Sequence, residues 1–222
     1  MNIAENIKRF NDELAGTTCR LIPISKTKPV SLIMEAYNSG QRIFGENKVQ
    51  DLADKYEEMP KDIEWHMVGH LQTNKVKYIA PFVSLIHSVD SLKLLKEINK
   101  QGIKNDRIIS CLLQIHIADE TTKFGLSETE LFQLFDDNEF KQLTNINIEG
   151  LMGMATYTDD ENQIDKEFKF LQTIFENIKT SIKQPNVNMT ELSIGMSGDY
   201  KIAIKNGSTM IRIGTDIFGS RY

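Results

Sequence analysis

The stretch TELSIGMSGDYKIAIKNGSTMIRIGTDIF, residues 190–218, contains two copies of one small plan. Residues 190–194 are a short β-rich run, a Gly-Met-Ser-Gly turn follows, and Tyr200, Ala203 and Ile204 then share a helical face that Gly207 closes. Residues 209–213 are β-rich again, Gly214-Thr215 makes the next turn, and residues 215–218 form a last helical turn. A strand feeding a helix and then another strand is the repeating unit of a parallel sheet.

Six further units precede these two. The first strand spans residues 18–25, and Pro29 opens a helix through Tyr37 that Gly40 closes. Residues 42–44 make the second strand, before a helix face of Val49, Leu52, Ala53 and Tyr56. The third strand, 64–68, leads to a helix over 71–79 that stops at Pro81. Residues 83–87 form the fourth, with Asp90 and Ser91 as cap candidates for a helix carrying Leu92, Leu95 and Ile98 and ended by Gly102. The fifth strand, 107–117, precedes a helix that begins at Ser127, where Glu130 completes a capping box ahead of Leu131, Leu134 and Phe135. The sixth, 146–152, leads to a long helix striped by Ile164, Phe168, Leu171, Phe175 and Ile178. A leading helix over residues 1–14 places Ile3, Ile7, Phe10 and Leu14 on one face.

Eight strand-helix units with no Gly/Ser-rich or Pro-rich linker between them predict an α/β fold. The form expected is a single (β/α)8 TIM barrel with an extra N-terminal helix, one domain over residues 1–222. An open doubly wound sheet is the alternative, but its Gly-rich turn after the first strand is replaced here by Ser25-Lys26-Thr27-Lys28-Pro29.

With 222 residues, 40% of them apolar and 26% charged, the chain has the composition of a folded globular protein. A net charge of −5 without a basic run leaves nucleic acid out as a partner. Cys19 and Cys111 are expected to be reduced core residues of a cytoplasmic protein. The leading helix carries Glu5, Asp12 and Glu13, so it does not read as a signal peptide, and no segment reads as a membrane span.

In a barrel of this type, chemistry sits where strands end and their following loops begin. Lys26 closes the apolar run Leu21-Ile22-Pro23-Ile24-Ser25. An amine held against apolar walls loses hydration of its charged form, and as the neutral base it can add to a carbonyl. The Gly195-Met196-Ser197-Gly198 and Gly214-Thr215 turns offer close backbone amides, helix N-termini and hydroxyl donors at the two loops where barrels most often hold phosphate. Either loop alone could be a tight turn with a helix cap. Arg212 lies two residues before Gly214 on the same face, and if buried it needs an acceptor, either a ligand's ring nitrogen or a core Asp or Glu. A carbonyl-reactive lysine, a phosphate cradle and an arginine between them are what a protein must supply for pyridoxal 5'-phosphate.

The sequence resembles the pyridoxal phosphate homeostasis protein family, whose single domain is similar to the N-terminal barrel of alanine racemases. The resemblance runs through Ser25-Lys26-Thr27-Lys28-Pro29, Phe44-Gly45-Glu46-Asn47, Trp65-His66, Gly69-His70-Leu71-Gln72-Thr73-Asn74-Lys75 and His87-Ser88-Val89-Asp90. It continues through Gly150-Leu151-Met152, Gly195-Met196-Ser197, Arg212-Ile213-Gly214-Thr215 and Phe218-Gly219-Ser220-Arg221. It implies that Lys26 carries the cofactor as an internal aldimine and that Arg212 faces the pyridine nitrogen. It further implies that Ser197, Gly214 and Thr215 hold the phosphate and that Asn47 and Met196 line the site. Two departures concern the lining of the mouth: His116 where the family usually has Asn, and Gly153-Met154-Ala155-Thr156 in a stretch that often contains Pro.

Arginine at the ring nitrogen weakens the electron sink that α-carbon chemistry uses. The second base of alanine racemases is a tyrosine from a C-terminal domain, and no counterpart to it is expected here, where the sequence runs to Tyr222 just after the eighth unit. The resemblance therefore implies a role in intracellular vitamin B6 homeostasis with no assigned reaction. In that role the chain is a cytoplasmic monomer whose partners are the small-molecule cofactor and PLP-dependent apoenzymes. A weak PLP-dependent amino-acid racemase is the enzymatic alternative. A Schiff-base aldolase would use Lys26 and the phosphate loops but leaves Arg212 without a reason. A zinc site at His66 and His70 lacks the glutamate and the helix that spacing needs, and His66, His87 and His116 read as hydrogen-bonded core residues. Asp159, Asp160 and Glu161 read as acids at the head of a helix, and Met152, Met154 and Met196 as soft side chains at strand ends.

Overall fold

The computed structural model describes residues 2–119 and 124–219. Its strands are β1 (Arg20–Pro23), β2 (Ile43–Glu46), β3 (Glu64–Met67), β4 (Leu85–Val89), β5 (Ile109–Gln114), β6 (Ile146–Met152), β7 (Val187–Ser193) and β8 (Met210–Ile213). They form one sheet in the order β1-β8-β7-β6-β5-β4-β3-β2, with every neighbouring pair parallel. The two ends of that order, β1 and β2, meet through a single bridge between Ile24 and Gly45, and the sheet becomes a nearly closed barrel. The expected (β/α)8 architecture is therefore the one observed.

Alternation along the strands divides the apolar residues into two cores. Ile22, Ile24, Leu85, Leu112, Met152 and Met210 pack together as a small cluster inside the barrel. The larger cluster lies between the strands and the outer helices. The helices are α1 (Ile3–Leu14), α2 (Val30–Asn38), α3 (Val49–Glu58), α4 (Val76–Ile79), α5 (Leu92–Lys104), α6 (Glu128–Asp136), α7 (Asn138–Lys141), α8 (Glu161–Ser181), α9 (Tyr200–Lys205) and α10 (Thr215–Phe218). The stripes on α1 and α8 are buried as expected, each such side chain contributing roughly 1.5–3 kcal/mol by leaving water. Ser127 and Glu130 form the capping box at the head of α6, and Asp160 caps α8 by accepting from the amides of Asn162 and Gln163.

Several expected boundaries are corrected. The helix expected over 71–79 is a 3-10 turn (Thr73–Lys75) followed by the one-turn α4, because only Val76 and Ile79 offer α4 a buried face. Gly102 does not end its helix: α5 continues to Lys104, and a Cβ on Gly102 would lie 2.7 Å from the Asn145 carbonyl oxygen. That glycine admits the chain entering β6. The fifth strand stops at Gln114 rather than residue 117, since Ile115 and the amide of His116 turn to pair with Leu126. His116 is thereby half-buried at a loop, not a core strand residue. On α3 the buried positions are Val49, Leu52 and Lys55, while Ala53 and Tyr56 are half-buried. The one-turn α7 was not anticipated.

Both cysteines are buried free thiols, and burial raises the pKa of each. Among the described residues no helix is long and apolar enough to cross a membrane.

Candidate functional site

The seven residues singled out from sequence all follow or close four adjacent strands, β7, β8, β1 and β2. Lys26 and Asn47 come just after β1 and β2, Met196 and Ser197 lie on the loop after β7, and Arg212, Gly214 and Thr215 lie in or after β8. Register brings the central members together. Ile22 pairs with Arg212, the Ile24 amide donates to the Ile213 carbonyl at 2.8 Å, and Gly214 packs against the Ile24 carbonyl oxygen. Lys26 is two residues further along and half-buried, and its Nζ has no polar partner among the described residues. The neighbouring Thr27 has φ +63°, a left-handed conformation that costs a β-branched residue and marks a tightly determined turn.

Arg212 points into the barrel interior and is 6% exposed. Its Nη1 donates to the Ser193 carbonyl at 2.8 Å and to Ser193 Oγ at 2.7 Å, and its Nη2 donates to the Gly153 carbonyl at 3.1 Å. Neither a core Asp nor a core Glu takes the guanidinium, so that bland expectation is not met. Nε has no acceptor among the described residues. Burial lowers the Arg212 pKa to about 10, partly offset by the nearby Asp199 carboxylate, so the guanidinium keeps its proton at neutral pH.

Below Arg212 runs a polar chain through the barrel interior. Ser193 Oγ lies 2.9 Å from His87 Nδ1, and His87 Nε2 lies 3.0 Å from His66 Nδ1. The Ser193 hydroxyl accepts from Arg212 and, with a second lone pair and one proton of its own, either donates to His87 Nδ1 or accepts from it. One imidazole proton lies between His87 Nε2 and His66 Nδ1, so one ring donates and the other accepts. Both imidazoles are buried, and burial holds them neutral: His66 is lowered to about 3, and His87 well below the ordinary histidine value. His70 is instead exposed, 3.5 Å from Asp90, so His66 and His70 do not converge. Among the described residues no group of three or more His, Cys, Asp or Glu is placed to hold a metal ion.

The two glycine loops are built differently from each other. Gly195 has φ +95°, and a Cβ there would lie 2.6 Å from Ala203 Cβ, so the turn into α9 requires glycine. The Met196 amide donates to Asp199 Oδ1 at 2.5 Å, and burial raises the pKa of Asp199. Gly198 and Gly214 have no such packing reason. A Cβ on Gly198 meets nothing within 4 Å, and one on Gly214 makes only ordinary contact at 3.5 Å. The amides of Ser197, Gly198, Gly214 and Thr215 and the hydroxyls of Ser197 and Thr215 donate to no acceptor among the described residues. Asn47 Oδ1 is buried and also without a partner. Met196 is exposed at the rim. One end of the barrel thus gathers an unengaged amine, an unengaged guanidinium nitrogen and a set of unengaged amide and hydroxyl donors. A ligand with an aldehyde, a ring nitrogen and a phosphate has a complementary group for each.

His66 and His87 are the hydrogen-bonded core residues expected, while sequence reading missed the supporting roles of Ser25, Glu46 and Lys55 beneath the Lys26 turn, and of Ser193 beneath Arg212. The signal for Lys55 was present as a lysine three residues after Leu52 on an apolar stripe.

The barrel, the lysine after its first strand and the glycine loops after its last two define an alanine-racemase type of barrel. The family model described as alanine racemase, N-terminal domain, matches residues 1–222. The pyridoxal phosphate homeostasis protein of Aquifex aeolicus (strain VF5) is 36% identical over 231 residues, covering 100% of this chain and 99% of that protein. PipY of Synechococcus elongatus PCC7942 has been solved without PLP, at TM-score 0.90 and 33% identity, and with PLP bound, at TM-score 0.87 and 32% identity. Each comparison covers 98% of this chain and 100% of PipY. The chain belongs to the pyridoxal phosphate homeostasis protein family. The alanine racemase of Clostridium difficile 630 shares the fold alone, at 14% identity and TM-score 0.76, covering 99% of this chain and 56% of that one.

Proposed function

We propose that this chain, as one domain over residues 1–222, binds pyridoxal 5'-phosphate at the barrel mouth and serves in intracellular vitamin B6 balance. The observation that carries this reading is the concentration of unengaged donors on β7, β8 and the turn after β1. When bound, the group supplies an aldehyde open to a primary amine and a ring that withdraws electrons in proportion to its protonation. Lys26 would hold the aldehyde end covalently. Ser197, Gly214 and Thr215 would hold the phosphate through hydroxyl and amide donors. Arg212 would present Nε to the ring nitrogen, with Asn47 and Met196 at the sides.

Arg212 keeps its proton and can only donate, so it has none to hand to a ring nitrogen placed against it. That favours custody of the cofactor over α-carbon chemistry. In this role the protein is a cytoplasmic monomer that exchanges cofactor with PLP-dependent apoenzymes.

The test is borohydride reduction of the full chain after incubation with pyridoxal 5'-phosphate, followed by peptide mapping. A pyridoxyl group on Lys26, absent from Lys26→Ala, is expected; an adduct elsewhere, or none, overturns the reading. Solvent deuterium entering the α-carbon of alanine in a Lys26-dependent manner would replace custody with racemisation.

A further inference from the structure

We infer that Lys55 and Glu46 are positioning residues for Lys26, a role that rests on the cofactor reading above. The turn carrying Lys26 lies at the seam where β1 and β2 are neighbours but share only one bridge. The β8 ladder holds one flank of β1, and on the β2 flank ladder hydrogen bonds do little to fix its end. A buried polar cluster takes their place. Ser25, fully buried, donates its amide to the Gly45 carbonyl at 3.0 Å and its hydroxyl to Glu46 Oε1 at 2.6 Å. Lys55 Nζ reaches across from α3 to the Ser25 carbonyl at 2.9 Å and to Glu46 Oε1 at 2.5 Å. The same carbonyl accepts from the Lys28 amide at 3.0 Å, which closes the turn over Lys26 and Thr27.

Stability alone does not account for this cluster. Moving two charges out of water costs more than a well-packed apolar pair of the same size, and here Glu46 Oε2 is buried without a partner. Thr27 adds the cost of a left-handed backbone. Both costs fall beside one amine, and the carbonyl immediately before it is held by two donors, Lys55 Nζ and the Lys28 amide. Fixing Lys26 relative to the β7 and β8 loops matters only for a ligand gripped at both ends. A ligand gripped by the phosphate alone is indifferent to it.

That difference supplies the test. Pyridoxine 5'-phosphate keeps the ring and phosphate but has an alcohol where pyridoxal 5'-phosphate has the aldehyde, so Lys26 cannot capture it. Affinities of the full chain for both ligands are measured by titration in the wild type, Lys55→Met, Lys55→Arg and Ser25→Ala. Lys55→Met and Ser25→Ala are expected to weaken pyridoxal 5'-phosphate by roughly tenfold to a hundredfold, the effect of a misplaced reacting group, and to leave pyridoxine 5'-phosphate unchanged. Lys55→Arg, which keeps a donor to both oxygens, is expected to restore most of the loss. Equal loss of both ligands, or no loss of either, overturns the inference. Should Lys55→Met fail to fold, Ser25→Ala decides alone, because it keeps the ion pair and removes only the hydroxyl link. A wild-type chain that binds neither ligand would instead overturn the cofactor reading itself.

Discussion

Acidification should destabilise the protein through the interior histidine pair. In the unfolded chain each imidazole takes up a proton near the ordinary histidine value, whereas in the barrel burial lowers His66 to about 3 and holds His87 well below its usual range. Below that ordinary value the unfolded state binds more protons than the folded state, so stability is fully present above it and is lost as pH falls towards the folded-state values. The slope is about 1.4 kcal/mol per pH unit for each imidazole. Between about pH 7 and about pH 5 this integrates to roughly 2 kcal/mol for His66, and His87 adds to the loss in the same direction. That is a large share of a typical domain's stability of about 5–15 kcal/mol. The assay is urea unfolding of the unliganded chain at stepped pH. His66→Asn keeps a polar partner for His87 Nε2 but removes one titration, so its acid loss should be smaller by about 2 kcal/mol. Identical pH dependence in the wild type and His66→Asn would refute the neutral, buried pair.

Gly214→Ala should leave thermal stability unchanged, because the added methyl makes only ordinary contact at 3.5 Å and φ is −113°. It should weaken pyridoxal 5'-phosphate by roughly tenfold, about 1.4 kcal/mol, in a fluorescence titration. Gly150→Ala should do the opposite kind of damage, since its Cβ would fall 1.7 Å from the Glu191 carbonyl oxygen. A loss of about 3 kcal/mol is expected, lowering Tm by roughly 6–12 °C in calorimetry. Ser193→Ala removes one acceptor from Arg212 Nη1 and the hydroxyl partner of His87 Nδ1. It should cost about 2–3 kcal/mol in urea unfolding and free the His87 tautomer in nitrogen-detected NMR.

Local patterns in the sequence carried most of the architecture. Residues 146–152 and 215–218 read correctly because turn chemistry and apolar runs both stop where the elements stop. The Ser127 capping box and the α8 stripe are likewise signals confined to a few neighbouring residues. Failures came where a distant part of the chain decided the outcome. Gly102 resembles a helix terminator until Asn145 is seen packed against it. Lys55 resembles a solvated lysine until Glu46 arrives from β2 and Ser25 from the turn after β1. The interior chain of His66, His87, Ser193 and Arg212 joins four strands, and no spacing along the sequence encodes it. The candidate ligand residues were legible because glycine loops, a strand-end lysine and a strand arginine are conspicuous by type. Their supports were not, because they are held together only in three dimensions.

The nearly open side of the barrel also has a kinetic consequence. β1 emerges from the ribosome first among the strands, yet its only ladder partner is β8, the last strand of the sheet. Until β8 is made, Leu21 and Ile22 have one flank of backbone unpaired and the other tethered at a single residue pair. Such a high contact order favours slow folding, and an apolar edge left waiting during synthesis is prone to self-association. Yield in a cell should therefore respond more to the pace of translation and to chaperone supply than the stability of the finished barrel would suggest.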